Sequence, residues 1–141
     1  VAGEIYGSFD SYQKIINDSN IKSRVHLYNK YIPDDEVTDY FSAADLCVLP
    51  YKSATQSGIT AIAHHFDLPI VATNVGGLKE TIQNGETGFV VESNVEEIRG
   101  AILKSFSDDN LQTFSKNIAV RKSENSWENF AKKVIEFSET L

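Results

Sequence analysis

The stretch "YKSATQSGITAIAHHF", residues 51–66, holds the chain's richest set of groups that could do chemistry. Thr55, Gln56 and Ser57 supply polar side chains, Gly58 leaves the backbone open, and Ile59 starts an apolar helical pattern. The first turn of a helix presents N–H groups that have no intrahelical partner, at the positive end of the helix dipole. An anion such as a diphosphate suits that arrangement. The same residues also suit a plain helix cap, because Ser57 or Thr55 ahead of an apolar helix can satisfy those N–H groups itself.

A second candidate is "NVGGLKE", residues 74–80, where two glycines follow an apolar run. Backbone without Cβ atoms could approach a sugar or a phosphate there, and Glu80 is equally a favourable first-turn carboxylate. The dinucleotide fingerprint G-x-G-x-x-G is absent. His64 and His65 are adjacent on the predicted helix and point to different faces, which does not suit a shared metal. His26 has no acid or thiol near it in sequence and reads as structural. No nucleophile triad, zinc spacing or phosphate-binding P-loop appears, so no metal or cofactor is expected. Cys47, alone in "LCVLP", reads as a buried structural thiol of a reducing compartment.

These loops need elements to hold them. "SFDSYQKIIND" places Phe9, Tyr12, Ile15 and Ile16 at helical spacing behind Ser8 or Asp10 as a cap. "RVHLYN" predicts a short strand, and "DDEVTDYFSAAD" a helix with Val37, Tyr40, Phe41 and Ala44 on one face. "LCVLP" and "PIVATN" are continuous apolar runs, as central strands covered on both faces would be. A helix from about Ser57 to Phe66 lies between them. A short helix "LKETIQ", the turn "NGETG", the strand "FVVE" and two or three closing helices complete the pattern. Strand and helix alternate, which predicts an α/β fold: a Rossmann-like, doubly wound parallel sheet with helices on both faces. Ligands of such sheets sit beyond the carboxyl ends of the strands. The loops after Gly3, after Asn29, after Tyr51 and after Asn74 are therefore the ones to inspect.

With 141 residues, 41% hydrophobic and 23% charged, the chain suits one globular domain with a packed core. A net charge of −7 disfavours nucleic acid, whose backbone demands a basic stripe. No apolar run approaches the about 18 residues of a membrane span, and no signal peptide opens the chain. The chain contains no Met and starts in "VAGEIYG" as a strand already in progress would, so it reads as a piece of something longer.

The order of blocks "VAGEIY", "RVHLYNKYIPDDEVTDYFSAADLCVLPY", "LPIVATNVGGLKETIQNGETGFVVESNVEEIRGAI" and "SWENFAKKVIEFS" resembles the group 1 (family 4) retaining glycosyltransferases, which have the two-domain GT-B fold. The resemblance covers nearly all the chain. Its specific block is the strand ending in Thr73-Asn74, followed by Gly76-Gly77, Glu80, Asn84-Gly85, Thr87-Gly88 and an apolar strand.

The resemblance implies that residues 1–141 form a single donor-binding domain lacking its first strand and helix, with the acceptor-binding domain outside this sequence. The full protein would then move a sugar, with retention, from a nucleotide diphosphate sugar to a glycan or lipid-linked acceptor. Such an enzyme serves polysaccharide or glycoconjugate synthesis in the cytoplasm, with peripheral membrane association through its other half, and the fragment alone should be inactive. Donor diphosphate and sugar are expected at Thr55, Gln56, Ser57, Gly58, Ile59 and Gly3, and nucleobase and ribose at Lys30, Tyr31, Ile32, Thr60 and Ile62. No catalytic base can be named.

The chain also departs from the family's pattern, which carries two glutamates spaced as positions 54 and 62 are. Ala54 and Ile62 stand there, and neither side chain accepts a hydrogen bond. Gln56, Ser57 and Thr60 are the substitutes at hand. Two alternatives stand beside an active transferase: a non-catalytic nucleotide-binding or assembly domain of the same fold, and a GT-B-like epimerase, for which no acid, base or His cluster speaks.

Overall fold

The computed structural model describes residues 1–140. The described residues form two compact units, one of residues 1–40 and one that begins at residue 41.

In the first unit, α1 spans Asp10–Asp18 and α2 starts at Asp34 and runs to Ser42. Phe9 occupies the cap position of α1, not Ser8 or Asp10, although the Ser8 hydroxyl still accepts the Asp10 N–H at 3.3 Å. Three acids, Asp34, Asp35 and Glu36, fill the first turn of α2, where the helix dipole favours them. Ala44 lies beyond the end of α2, so it does not share the helical face expected for it. The expected strand over "RVHLYN" is reduced to one parallel bridge between Ala2 and Tyr28, preceded by a 3-10 turn at Lys22–Arg24. Two hydrogen bonds carry the bridge, Tyr28 N–H to the Val1 carbonyl and Gly3 N–H to the Tyr28 carbonyl. A strand of one rung has too few ladder bonds to extend.

The second unit is built on three parallel strands, β1 (Cys47–Leu49), β2 (Ile70–Thr73) and β3 (Gly88–Val91), in the order β1-β2-β3. Parallel neighbours need crossovers. These are α3 (Gly58–His65) between β1 and β2, and α4 (Leu78–Thr81) between β2 and β3. Among the described residues three helices follow the sheet: α5 (Val95–Ser105), α6 (Asn110–Glu124) and α7 (Trp127–Ser138). Asn94 and Ser126 cap α5 and α7, each accepting the N–H three residues on.

Side chains of a strand alternate between faces, and β2 shows what that does. Ile70 and Ala72 pack with Leu49, Ala63, Leu68, Leu78 and Ile82, while Val71 packs with Phe89, Ala101 and Phe114. Helices thus cover both faces, α3 and α4 one, α5 and α6 the other. The doubly wound parallel sheet expected from the sequence is what forms. All four residues of β2 are buried, as the run "PIVATN" predicted. β1 departs from its expectation. It pairs only with β2 among the three strands, and Val48 is 36% exposed, so "LCVLP" is an outer strand and not a fully covered central one.

Side chains tie α6 to the rest of this unit. Lys122 Nζ reaches the Asp67 carboxylate at 2.6 Å and the His65 carbonyl at 2.9 Å, Asn117 donates to the Glu86 carbonyl, and Arg121 donates to Gln83.

Candidate functional site

At the carboxyl end of the second unit's sheet, two loops meet backbone to backbone. The loop after β1 runs from Pro50 to Ser57, and the loop after β2 from Asn74 to Gly77. Thr73, fully buried at the end of β2, donates its hydroxyl to the Tyr51 carbonyl at 2.6 Å and so holds the start of the first loop. Gly77 N–H donates to the Thr55 carbonyl at 2.8 Å. Gly76 has φ +53°, and a Cβ there would lie 1.9 Å from the Ala54 carbonyl oxygen. The two glycines of "NVGG" therefore answer to the chain's own backbone: the close approach is made by residues 54–55.

The start of α3 is left open by this arrangement. Ser57 takes the cap position with extended backbone, but its hydroxyl caps nothing. Among the described residues no acceptor takes the N–H of Gly58 or Ile59. A Cβ added at Gly58 would meet nothing within 4 Å. Among the described residues these donors are free, at the positive end of an eight-residue helix.

The other expected contacts fall differently. Thr60 is 1% exposed and its hydroxyl donates to the Ser57 carbonyl at 2.7 Å, so it braces the loop and presents nothing to a ligand. Ile62 is half-buried, and Ala54 packs its methyl against the core beside Leu49 and Leu78. Gln56 lies by the ledge that Gly77 makes, its Cγ 3.5 Å from where a Cβ of Gly77 would be. Glu80 comes to the same ledge from α4, its Oε2 3.6 Å from that point. Thr73 and the partnering of the two loops were missed from the sequence. The only local signal was a threonine closing an apolar strand ahead of a glycine pair.

Gly3, Lys30, Tyr31 and Ile32 belong to the first unit. Gly3 has φ +131°, which only glycine adopts without strain, and a Cβ there would meet no atom within 4 Å. The Lys30 ammonium pairs with the Glu36 carboxylate at 2.6 Å, and that hydrogen bond raises the Lys30 pKa above its ordinary value. Tyr31 is exposed and Ile32 half-buried.

The histidines hold no metal-like set. Among the described residues no three His, Cys, Asp or Glu side chains converge. His65 stands edge-on to Phe66 with ring centroids 5.2 Å apart. His64 Nε2 is buried without a hydrogen-bond partner among the described residues, and burial, with Arg121 nearby, lowers its pKa. Burial pushes the Cys47 thiol up to about 11, which keeps it protonated and unreactive at neutral pH.

Comparison with known proteins places this architecture. Residues 1–108 match the family model "Glycosyl transferases group 1". The chain belongs to the group 1 glycosyltransferases. It is 31% identical over 123 residues to the D-inositol 3-phosphate glycosyltransferase of Corynebacterium urealyticum, covering 84% of this chain and 28% of that relative. Sucrose-phosphate synthase from Thermosynechococcus elongatus superposes with a TM-score of 0.73 at 25% identity, over 93% of this chain and 33% of that one. HepE of Anabaena, solved with UDP and glucose, superposes with a TM-score of 0.70 at 19% identity over 99% of this chain and 40% of that one. The group 1 chain thus spans little more than a quarter of the curated relative it matches. Among its described residues no helix is long and apolar enough to cross a membrane.

Proposed function

We propose that residues 1–141 are the donor-binding domain of a longer, retaining glycosyltransferase, completed by an acceptor-binding domain and by the first strand and helix of this domain. The observation that carries the reading is the open start of α3, where the N–H groups of Gly58 and Ile59 have no partner among the described residues and Ser57 leaves them uncapped. A nucleotide sugar brings a diphosphate of the charge and size those donors take. UDP is the bound nucleotide in the HepE structure that shares this fold.

Transfer needs charge stabilised on the leaving phosphate as the sugar bond breaks. Fixed N–H dipoles do that without reorganising, which is why such donors are effective in a transition state. In this chain the task falls to Gly58 and Ile59 N–H, with the Ser57 hydroxyl and the side chains of Thr55 and Gln56 beside them. The base contact assigned to Lys30, Tyr31 and Ile32, and the phosphate clearance assigned to Gly3, rest on the family resemblance. Thr60, buried with its hydroxyl on the Ser57 carbonyl, serves the loop and not the ribose, while the place of half-buried Ile62 beside the ribose rests on the family resemblance. The domain alone has no acceptor site, so it binds donor without turnover. The full protein works in the cytoplasm on a glycan or lipid-linked acceptor.

The non-catalytic alternative is not favoured, because the matched family and the curated relative are glycosyltransferases. The test is an assay of the full-length protein with UDP-, GDP- and ADP-sugars and mixed glycan acceptors, with the anomeric configuration of the product read by NMR. Transfer with retention is the expected result. Donor binding without any transfer or donor hydrolysis would favour the scaffold reading, and inversion would overturn the retaining one.

A further inference from the structure

Among the described residues, the carboxyl end of the sheet carries Glu80, Glu92, Glu96 and Glu97, and all but Glu80 have a partner, Glu96 facing Arg99 at 3.9 Å. Glu92 accepts from the Asn74 side chain at 3.1 Å, and Glu97 accepts from the Glu92 N–H at 3.0 Å. Glu80 has neither a hydrogen-bond nor an ion-pair partner among the described residues, and it is exposed. Its position is fixed by the backbone. Gly77 N–H holds the Thr55 carbonyl at 2.8 Å, and Glu80 N–H holds the Gly77 carbonyl at 3.1 Å, so the first turn of α4 is fastened to the loop after β1. The Glu80 carboxylate and the Gln56 side chain both come within 4 Å of the point where a Cβ of Gly77 would stand. The free carboxylate therefore borders the residues proposed to take the diphosphate.

Position 54 cannot supply such a group, since Ala54 turns its methyl to the core, and Ile62 is apolar. Sugars and riboses offer adjacent hydroxyl groups, and an ionised carboxylate, with two acceptor oxygens, is the side chain that takes such pairs. We infer that Glu80 accepts hydrogen bonds from vicinal hydroxyls of the bound nucleotide sugar, a contact made from the turn after β2 and not from positions 54 and 62. Gln56 lies beside it as a neutral partner able to donate and accept. This inference rests on the donor-site reading above. Its chemistry has two sources, the ribose and the transferred sugar.

The experiment measures binding by calorimetry to the full-length protein and its Glu80→Ala and Glu80→Gln variants, with inorganic pyrophosphate, UDP and UDP-glucose, and the GDP and ADP series in parallel. Glu80→Ala should weaken a hydroxyl-bearing ligand about tenfold or more. Glu80→Gln, which keeps one acceptor oxygen, should lose less. Pyrophosphate should bind all three proteins alike, or the variants slightly better, since a negative charge has gone. An equal loss for the nucleotide and its sugar derivative assigns the ribose, and a loss confined to the sugar derivative assigns the transferred sugar. Unchanged affinity for both overturns the inference, as does a parallel loss of pyrophosphate binding, which would mean that the loop has moved. If the unaltered protein binds none of these ligands, the donor-site reading itself fails.

Discussion

Gly76 stands against Ala54 so closely that a Cβ on Gly76 would lie 1.9 Å from the Ala54 carbonyl oxygen. The φ of +53° at Gly76 lets the chain turn back at that point, and the Gly77 N–H then reaches the Thr55 carbonyl at 2.8 Å. The loop that opens the start of α3 is thus held in place by the loop that follows β2.

Replacing Gly76 by Ala should cost about 2–4 kcal/mol, from strain in the left-handed region and from backbone that must shift. Gly100→Ala is the control. Gly100 lies within α5 with nothing within 4 Å of an added Cβ, so Ala there should stabilise by about 0.5–1 kcal/mol. Urea unfolding of both variants reads the difference. Equal midpoints would show that the two loops are not locked together.

Gly58→Ala separates stability from binding. The added methyl meets no protein atom, and Ala suits a helix better than Gly, so the fold should gain up to about 1 kcal/mol. The same methyl stands on the residue that carries the first free N–H, so a diphosphate held there has less room and donor affinity should fall about tenfold or more. Thermal unfolding and calorimetry with UDP-glucose on one protein sample check both. Unimpaired donor binding would move the ligand away from the start of α3.

Ser57→Glu puts a carboxylate at the mouth of those N–H groups. Its charge is favoured at the positive end of the helix, and it repels a diphosphate. Pyrophosphate binding should be abolished with the circular dichroism spectrum unchanged. Survival of that binding would contradict the anion role of residues 55–59.

His64 gives the fold a pH dependence of known sign. Burial, and then Arg121, lower its folded pKa below the ordinary 6.5, so the unfolded chain binds the proton more readily. The stability held by the neutral ring is fully present above 6.5 and is lost as the pH falls through that value toward the folded pKa. Denaturant midpoints measured from about pH 7.5 to about pH 5 should fall more steeply for the native chain than for His64→Gln. Equal slopes would mean that His64 protonates in place without cost.

The sequence was legible where its patterns were strong. The apolar run that enters β2, the helix behind Ser57 and the caps Asn94 and Ser126 each followed from local periodicity and capping chemistry. "RVHLYN" failed because a β-propensity run becomes a strand only where a partner supplies a ladder, and here one bridge forms. "LCVLP" read as central because an apolar run does not reveal which neighbour is missing. At the site, the anion-like loop was visible in composition, but its openness was not. Whether Ser57 caps its own helix is a matter of side-chain geometry, and the use of Gly76 and Gly77 to seat residues 54–55 depends on a contact between loops about 20 positions apart. Thr60 looked available because its burial is set by the helix's rotation against the sheet.

The most direct test of the account is the amide chemical shifts of Gly58 and Ile59 in the full-length protein during titration with UDP-glucose, with GDP- and ADP-glucose as parallel donors. Large, saturable shifts at those two amides, reproduced by pyrophosphate alone, are the result expected if their free N–H groups take the diphosphate. A donor that binds by calorimetry while both amides stay where they are would contradict it.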